Sequence, residues 1–84
     1  MNDVDVLATF IKAMVKYPDS VHIERKVDER GVLLLIKIEK EDMGTVIGKG
    51  GKHIHALRLL MAVIGAKNNA NVAIMVVEPE NSIL

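Results

Sequence analysis

A cluster of glycines and lysines is the part of this sequence best suited to binding chemistry. Gly48, Lys49, Gly50, Gly51 and Lys52 follow one another, with apolar residues on both sides. Glycine costs chain entropy and gives up packing, so the cluster indicates a sharp bend or the close approach of another group to the backbone. Where glycines open a helix, unpaired N–H groups and the helix dipole attract anions. The composition therefore favours a phosphate-binding loop over a simple bend between two helices.

Two familiar nucleotide-binding loops are excluded by spacing. A P-loop requires four residues between its first glycine and the Gly-Lys-Ser/Thr unit, whereas only three separate Gly44 from Gly48. Gly50 also stands where a magnesium-binding hydroxyl is needed. The dinucleotide pattern requires a third glycine at the position of His53. We therefore expect a loop of a different class.

The remaining polar residues do not form a recognisable catalytic or metal site. His53 and His55 lie two residues apart, a spacing that does not bring side chains together on a helix, and the chain has no cysteine. We interpret both as polar surface residues near the binding loop. Glu41 and Asp42 are predicted to cap the short helix that follows them, because carboxylates favour a first helical turn. We predict a protein that is not an enzyme and that has no catalytic residues, metal or cofactor.

Composition limits the class of protein. Eighty-four residues, half of them hydrophobic, form one domain, and the absence of cysteine fits a reducing compartment. The N-terminus lacks a secretory signal pattern, and the longest apolar run, Leu59–Ile64, is too short for a membrane span. We therefore expect a cytoplasmic protein. Eleven acidic residues balance eleven basic ones, so affinity for a polyanion must come from local charge.

The first half of the chain predicts a helix followed by a β-hairpin. Apolar residues recur at helical spacing over residues 3–16, and Pro18 ends that helix. From residue 20 to 28 the period changes to two, which is typical of a half-buried strand. A tight turn then ends at Gly31, a residue suited to a left-handed conformation. Residues 32–38 are almost continuously apolar, which predicts a central strand covered on much of both faces.

The second half predicts two helices and a last strand. A short helix is expected over residues 43–47 and a longer one from 51 or 52 to Gly65, which is placed to cap it. Residues 72–77 form the last strand. The two-helix connection allows a right-handed crossover between parallel strands. The sequence thus predicts an α+β fold of order α-β-β-α-α-β, with a three-stranded mixed sheet and helices packed on one face.

The glycine cluster and its flanks resemble a known family. Residues 48–51 match the GxxG loop of the K-homology (KH) domain, and Val46, Ile47 and Ile54 also resemble that family. The order of elements is similar to the type II, bacterial KH arrangement. Residues 42–52, the N-terminal helix and Tyr17-Pro18-Asp19 further resemble the small single-KH-domain proteins of bacteria that form the KhpA family. The likeness covers essentially the whole chain, 1–84.

The resemblance implies how the loop acts. KH domains hold about four single-stranded nucleotides, with the GxxG loop clamping the backbone. Gly48 and Gly51 are then the fixed pair, Lys49 and Gly50 face the phosphates, and Lys52 reaches the same or the next phosphate. The bases are expected in an apolar cleft between the helix pair and the sheet edge. The residues expected at the RNA are Ile47, Gly48, Lys49, Gly50, Gly51, Lys52, His55 and Arg58.

The resemblance also implies a role. We expect an RNA-binding protein that is a post-transcriptional regulator or RNA chaperone and acts as a dimer. Proteins of this family pair with a second KH-containing RNA-binding protein, so a heteromer is a further expectation. The alternative is a protein–protein assembly module that uses the KH fold and binds little RNA itself. Because the net charge is zero, we expect weak binding by the isolated chain.

The second long helix carries a possible subunit interface. Residues 59–64 are all apolar, whereas a helix on the outside of a sheet should have a polar face toward solvent. Either the N-terminal helix covers this segment or a second subunit does. We predict that the segment forms a subunit interface. The interface residues expected are Leu59, Leu60, Val63 and Ile64, and a second apolar surface is expected at Leu33, Leu35, Met75 and Val77.

Overall fold

The computed structural model describes residues 2–78, and the order of its helices and strands confirms the predicted α-β-β-α-α-β arrangement. Short 3-10 turns precede β1, α2 and α3. The predicted single domain extends beyond the described range at both ends, and the tail from Pro79 lies outside it. The elements are α1 (Asp3–Met14), β1 (His22–Asp28), β2 (Gly31–Lys37), α2 (Met43–Ile47), α3 (Lys52–Lys67) and β3 (Val72–Val77).

The three strands form a mixed sheet of order β1-β2-β3, which confirms the predicted α+β fold class. β1 and β2 are antiparallel, and β2 and β3 are parallel. The hairpin turn ends at Gly31, whose φ of 136° is positive as predicted. A side chain at Gly31 would also collide with the backbone oxygen of Asn71, which immediately precedes β3. The turn therefore fixes both the hairpin and the approach of β3.

The helices cover one face of the sheet, and this limits the burial of β2. Val32, Leu34 and Ile36 point toward the helices and are buried. Leu33 and Leu35 point to the opposite face and are only half-buried. The prediction that β2 is covered on much of both faces agrees with this pattern, with complete burial on the helix side and partial burial on the other. The shared core consists of Leu7, Ile11, Val21, Val32, Leu34, Ile36, Ile38, Val46, Ile54, Leu57, Met61, Val72 and Ile74.

Asp42 holds the end of α1 against the start of α2. Its side chain is 3% exposed, its Oδ1 accepts from the Lys16 N–H at 2.9 Å, and its Oδ2 accepts from the Tyr17 N–H at 3.1 Å. The prediction that Asp42 and Glu41 cap α2 is wrong, because neither gives that helix a side-chain capping bond. Glu41 accepts instead from the Tyr17 hydroxyl. A buried carboxylate needs N–H donors, and the chain leaving α1 supplies two.

Gly65 lies inside α3 and does not cap it, so the predicted end of this helix is also wrong. A Cβ there would lie 2.7 Å from the backbone oxygen of Ala70 and 2.8 Å from Cγ2 of Val72. The glycine is thus needed for close packing, and the helix continues to Lys67. Asn69, with a φ of 56°, adopts the positive-φ conformation after the helix. Within residues 2–78, none of the helices combines the length and apolar character needed to cross a membrane.

Candidate nucleic-acid interface

The GxxG loop is a single tight turn between α2 and α3. The Gly48 N–H donates to the carbonyl oxygen of Gly44 at 2.8 Å, which ends α2. The Gly51 N–H then donates to the Gly48 carbonyl at 3.0 Å, and the Lys52 N–H donates to the Lys49 carbonyl. These bonds bring the chain from one helix into the next within a few residues. The loop therefore presents its backbone directly at the N-terminus of α3.

Positive φ angles explain why three glycines are present. Gly48 has φ 79° and ψ 165°, a region that is essentially restricted to glycine. Gly50 and Gly51 have φ angles of 66° and 78°. No other group lies within 4 Å of a Cβ built on Gly50. Gly50 therefore shapes the turn as well as leaving its surface open, whereas the resemblance gave the shaping role to Gly48 and Gly51.

His53 packs against the loop, a contact that sequence reasoning did not foresee. Its Nδ1 donates to the backbone oxygen of Thr45 in α2 at 2.7 Å. A Cβ on Gly48 would lie 2.6 Å from the His53 Cγ, so the ring occupies the space that a side chain at Gly48 would need. The first turn of α3 is thereby joined to the last turns of α2. Residue type and spacing gave no signal for this contact, because it depends on the turn between the helices.

The charge around the loop is positive although the whole chain is neutral. No aspartate or glutamate occurs between residues 43 and 77, whereas this stretch contains Lys49, Lys52, Arg58 and Lys67. Lys49 and Lys52 are exposed. The ion pairs found in residues 2–78 involve neither lysine. The acid-free stretch was visible in the sequence, and it shows why net charge alone is a poor guide here.

The other predicted RNA-site residues lie beside the loop on both helices. Ile47, the last residue of α2, is half-buried and packs against the core. Ile54, which flanks the loop motif and was not predicted to contact RNA, belongs to α3 and is buried in the core. These two residues anchor the loop from either side. Lys52, His55 and Arg58 are exposed and follow one another at intervals of three along α3, so they lie on neighbouring turns. Lys52 thus lies next to the loop, and His55 and Arg58 follow it along the exposed part of α3.

The predicted interface residues divide into two groups. Leu59 and Val63 are 57% and 67% exposed, so α1 does not cover the outer face of α3. Leu60 and Ile64 are half-buried, and Ile64 packs against the core. An apolar groove of about 260 Å³ lies beside them, between α1 and α3. It is lined by Phe10, Met14, His53, Ala56, Leu57 and Leu60.

The opposite face of the sheet is partly exposed. Met75 is 51% exposed, whereas Leu33, Leu35 and Val77 are half-buried. Across residues 2–78, no three histidine, aspartate or glutamate side chains come together in a group able to hold a metal ion. The GxxG loop remains the site with the clearest binding chemistry.

Comparison with known proteins shows which family the chain belongs to. A family model described as "KhpA/KhpB, KH domain" matches residues 4–76. The chain is 34% identical over 74 residues to the RNA-binding protein KhpA of Chlamydia caviae, covering 88% of this chain and 95% of that protein. It is 33% identical over 72 residues to KhpA of Clostridium acetobutylicum, covering 86% and 96%. For KhpA of Listeria monocytogenes the identity is 30% over 74 residues, covering 88% and 97%. The chain belongs to the KhpA/KhpB KH-domain family.

Proposed function

We propose that this protein binds single-stranded RNA by holding backbone phosphates at the GxxG loop. The observation that carries the proposal is the combination of three positive-φ glycines with an acid-free, lysine-bearing helix N-terminus. Bare glycines let a phosphate approach the backbone N–H groups, and the dipole of α3 attracts its charge. The relatives named above as RNA-binding proteins support RNA as the ligand.

The proposed path of the RNA follows α2 and α3. Lys49 and Lys52 flank the phosphate position, and Arg58 lies farther along α3 on the same acid-free surface. Half-buried Met43 and Ile47 provide apolar surface beside the loop for the bases. With two or three phosphate contacts to a single strand, the logarithm of affinity should fall with the logarithm of salt concentration at a slope of about −1 to −2.

A matched pair of double variants tests the loop. Lys49→Asp with Gly50→Asp places two negative charges at the phosphate site, whereas Lys49→Asn with Gly50→Asn has the same shape without charge. Asp and Asn both tolerate positive φ, so strain at Gly50 affects both variants similarly. We expect RNA binding, measured by fluorescence anisotropy and crosslinking, to be at least about tenfold weaker in the Asp variant than in the Asn variant, because like charges repel.

The same experiment separates the two candidate functions. Thermal unfolding and light scattering should show that both double variants keep the fold and the oligomeric state. Equal RNA affinity of the Asp and Asn variants would contradict the phosphate clamp. It would support the alternative, a protein–protein assembly module with little RNA binding, which the exposed apolar face of α3 favours.

We also propose that the protein self-associates through the outer face of α3. Ala56, Leu59 and Val63 lie at spacings of three and four residues, so they share one exposed side of the helix. Burying this apolar side against a second copy would remove it from water. A second KH-containing protein is the alternative partner for this face of α3. As a cytoplasmic dimer, the protein would act as a post-transcriptional regulator or RNA chaperone.

A charge on this face tests the association. Val63→Glu should give monomers in sedimentation velocity and light scattering, because a carboxylate would be buried at the interface. Val27→Glu is the matched control, since Val27 is similarly exposed but lies on β1. Both substitutions should leave the fold intact. Dimers that persist in Val63→Glu, or dissociation in both variants, would contradict this interface.

A further inference from the structure

We infer that His53 is a positioning residue that holds the GxxG loop in the conformation that accepts RNA. This inference rests on the proposed function, because it concerns the same loop. His53 is assigned no direct contact with the phosphate. It acts through Gly48, the first residue of the loop, and through Thr45 in the preceding helix.

The hydrogen bond to Thr45 fixes the orientation of the imidazole ring. A backbone carbonyl can only accept, so the His53 Nδ1 carries the hydrogen in the 2.7 Å bond to the Thr45 oxygen. This bond selects one neutral tautomer. Its two residues belong to different helices, one on each side of the loop. The bond therefore restrains the angle at which α3 leaves α2.

Packing against Gly48 transmits this restraint to the loop. The position of a Cβ on Gly48 would be 2.6 Å from the His53 Cγ and 2.7 Å from its Nδ1, so ring and backbone are in direct contact. The Gly48 carbonyl in turn accepts from the Gly51 N–H at 3.0 Å. A shift of the ring would let the Gly48 peptide turn and would weaken that bond. The N–H groups at the start of α3 would then lose their fixed direction.

The wider surroundings of His53 fit a positioning role. The residue is half-buried, with the loop on one side. On another side it lines the groove between α1 and α3, next to the apolar residues Phe10 and Leu57. The Nδ1 hydrogen atom is already used within the protein. The ring thus makes one polar contact, its hydrogen bond to Thr45, beside apolar residues of α1 and α3.

Three variants separate the hydrogen bond from the bulk of the ring. His53→Asn keeps an N–H donor on Cγ, at the position of Nδ1. His53→Leu keeps an apolar side chain but removes the donor. His22→Leu is the matched control, because His22 is an exposed histidine on β1, outside the proposed RNA site. Thermal unfolding of all three variants establishes that they are folded before any comparison is made.

The first measurement needs no RNA. In the wild type, long-range proton–nitrogen NMR spectra of the histidine rings should show the hydrogen of His53 on Nδ1. Amide hydrogen exchange of Gly51 and Lys52 should become faster in His53→Leu, return toward the wild-type rate in His53→Asn, and stay unchanged in His22→Leu. Unchanged exchange in His53→Leu, or a hydrogen found only on Nε2, would overturn the positioning role.

The second measurement uses a short single-stranded RNA. Loss of one net hydrogen bond corresponds to an expected affinity loss of about two- to tenfold in His53→Leu, with recovery in His53→Asn. The salt slope should not change, because no cation has been removed. Faster exchange without any loss of RNA affinity would mean that the loop is not the RNA site, so the proposed function would fail. Recovery of exchange but not of affinity in His53→Asn would indicate direct ring–RNA contact and overturn the inference.

Discussion

Alanine substitution at Gly48 tests both the backbone conformation of the loop and its contact with His53. Gly48 combines φ 79° with ψ 165°, and its Cβ would lie 2.6 Å from the His53 Cγ. The backbone region alone costs about 1–3 kcal/mol for a residue with a side chain. Displacing His53 from the Thr45 carbonyl adds about 0.5–1.5 kcal/mol. We therefore expect Gly48→Ala to lower the free energy of unfolding by about 1.5–4.5 kcal/mol.

Gly50→Ala provides the matched control. Gly50 also has a positive φ, 66°, but its Cβ would meet no other group within 4 Å. Only the left-handed backbone cost remains, about 1–2 kcal/mol. Because 1 kcal/mol shifts the unfolding midpoint of a domain of this size by about 4–8 °C, the two variants should be distinguishable in thermal melts. Circular dichroism during heating, supported by urea unfolding, is the assay.

Two results would contradict a loop held by the contact between Gly48 and His53. If Gly48→Ala is no less stable than Gly50→Ala, then the contact between Gly48 and His53 does not constrain the loop. If Gly48→Ala is destabilised but the His53 ring keeps its Nδ1–H and its bond to Thr45, then backbone strain alone accounts for the loss. Only greater destabilisation together with displacement of the ring supports the structure described above.

Three further predictions concern other parts of the fold. Asp42→Ala should lower the free energy of unfolding in urea by about 3–5 kcal/mol, because two partly buried backbone N–H groups lose a charged acceptor. A loss below about 1 kcal/mol would contradict this role. Gly65→Ala should lower the free energy of unfolding by about 1–3 kcal/mol, because the added methyl group overpacks the contact with β3. Gly44→Ala, whose methyl group meets open space, should raise it by about 0.5–1 kcal/mol. If both substitutions changed the free energy of unfolding in the same direction, the packing role of Gly65 would be refuted. A hydrogen bond and the positive charge of Lys37 lower the pKa of Glu24, so its contribution to stability exists above the ordinary carboxyl pKa and disappears as pH falls through the lowered value. In thermal melts, Glu24→Gln should therefore be less stable than the wild type near neutrality and converge with it in acid, and a constant difference would contradict the pairing.

The order of the elements was predictable because hydrophobic period and turn residues are local signals. Helical spacing, the change to alternation after residue 20 and the glycine at 31 each depend on a few neighbouring residues. The glycine cluster was predictable for the same reason, since three glycines at a helix start require a backbone explanation. The absence of acidic residues between 43 and 77 could also be read from the sequence, but the zero net charge of the whole chain does not reveal it.

The corrected helix ends, and the contact of His53, depend on tertiary packing and not on local sequence pattern. Asp42 accepts from residues more than twenty positions away, so its sequence neighbours indicated only a helix cap. Gly65 is required by Val72 of β3, a contact that exists only after the crossover has formed. His53 packs on Gly48 because the loop turns back sharply. In each case the role of the residue depends on a neighbour that is brought close only by the fold, so the adjacent sequence does not indicate it.

Titration of the isotopically labelled protein with a short single-stranded RNA is the most direct test of the phosphate clamp. We expect the largest backbone amide shifts at residues 48–52, with smaller shifts at His55 and Arg58 along α3. Inorganic phosphate should shift the loop amides weakly, whereas RNA should also shift the neighbouring residues of α2. Shifts confined to Leu59 and Val63, or to the sheet face around Met75, would contradict the proposal that the GxxG loop holds the RNA backbone.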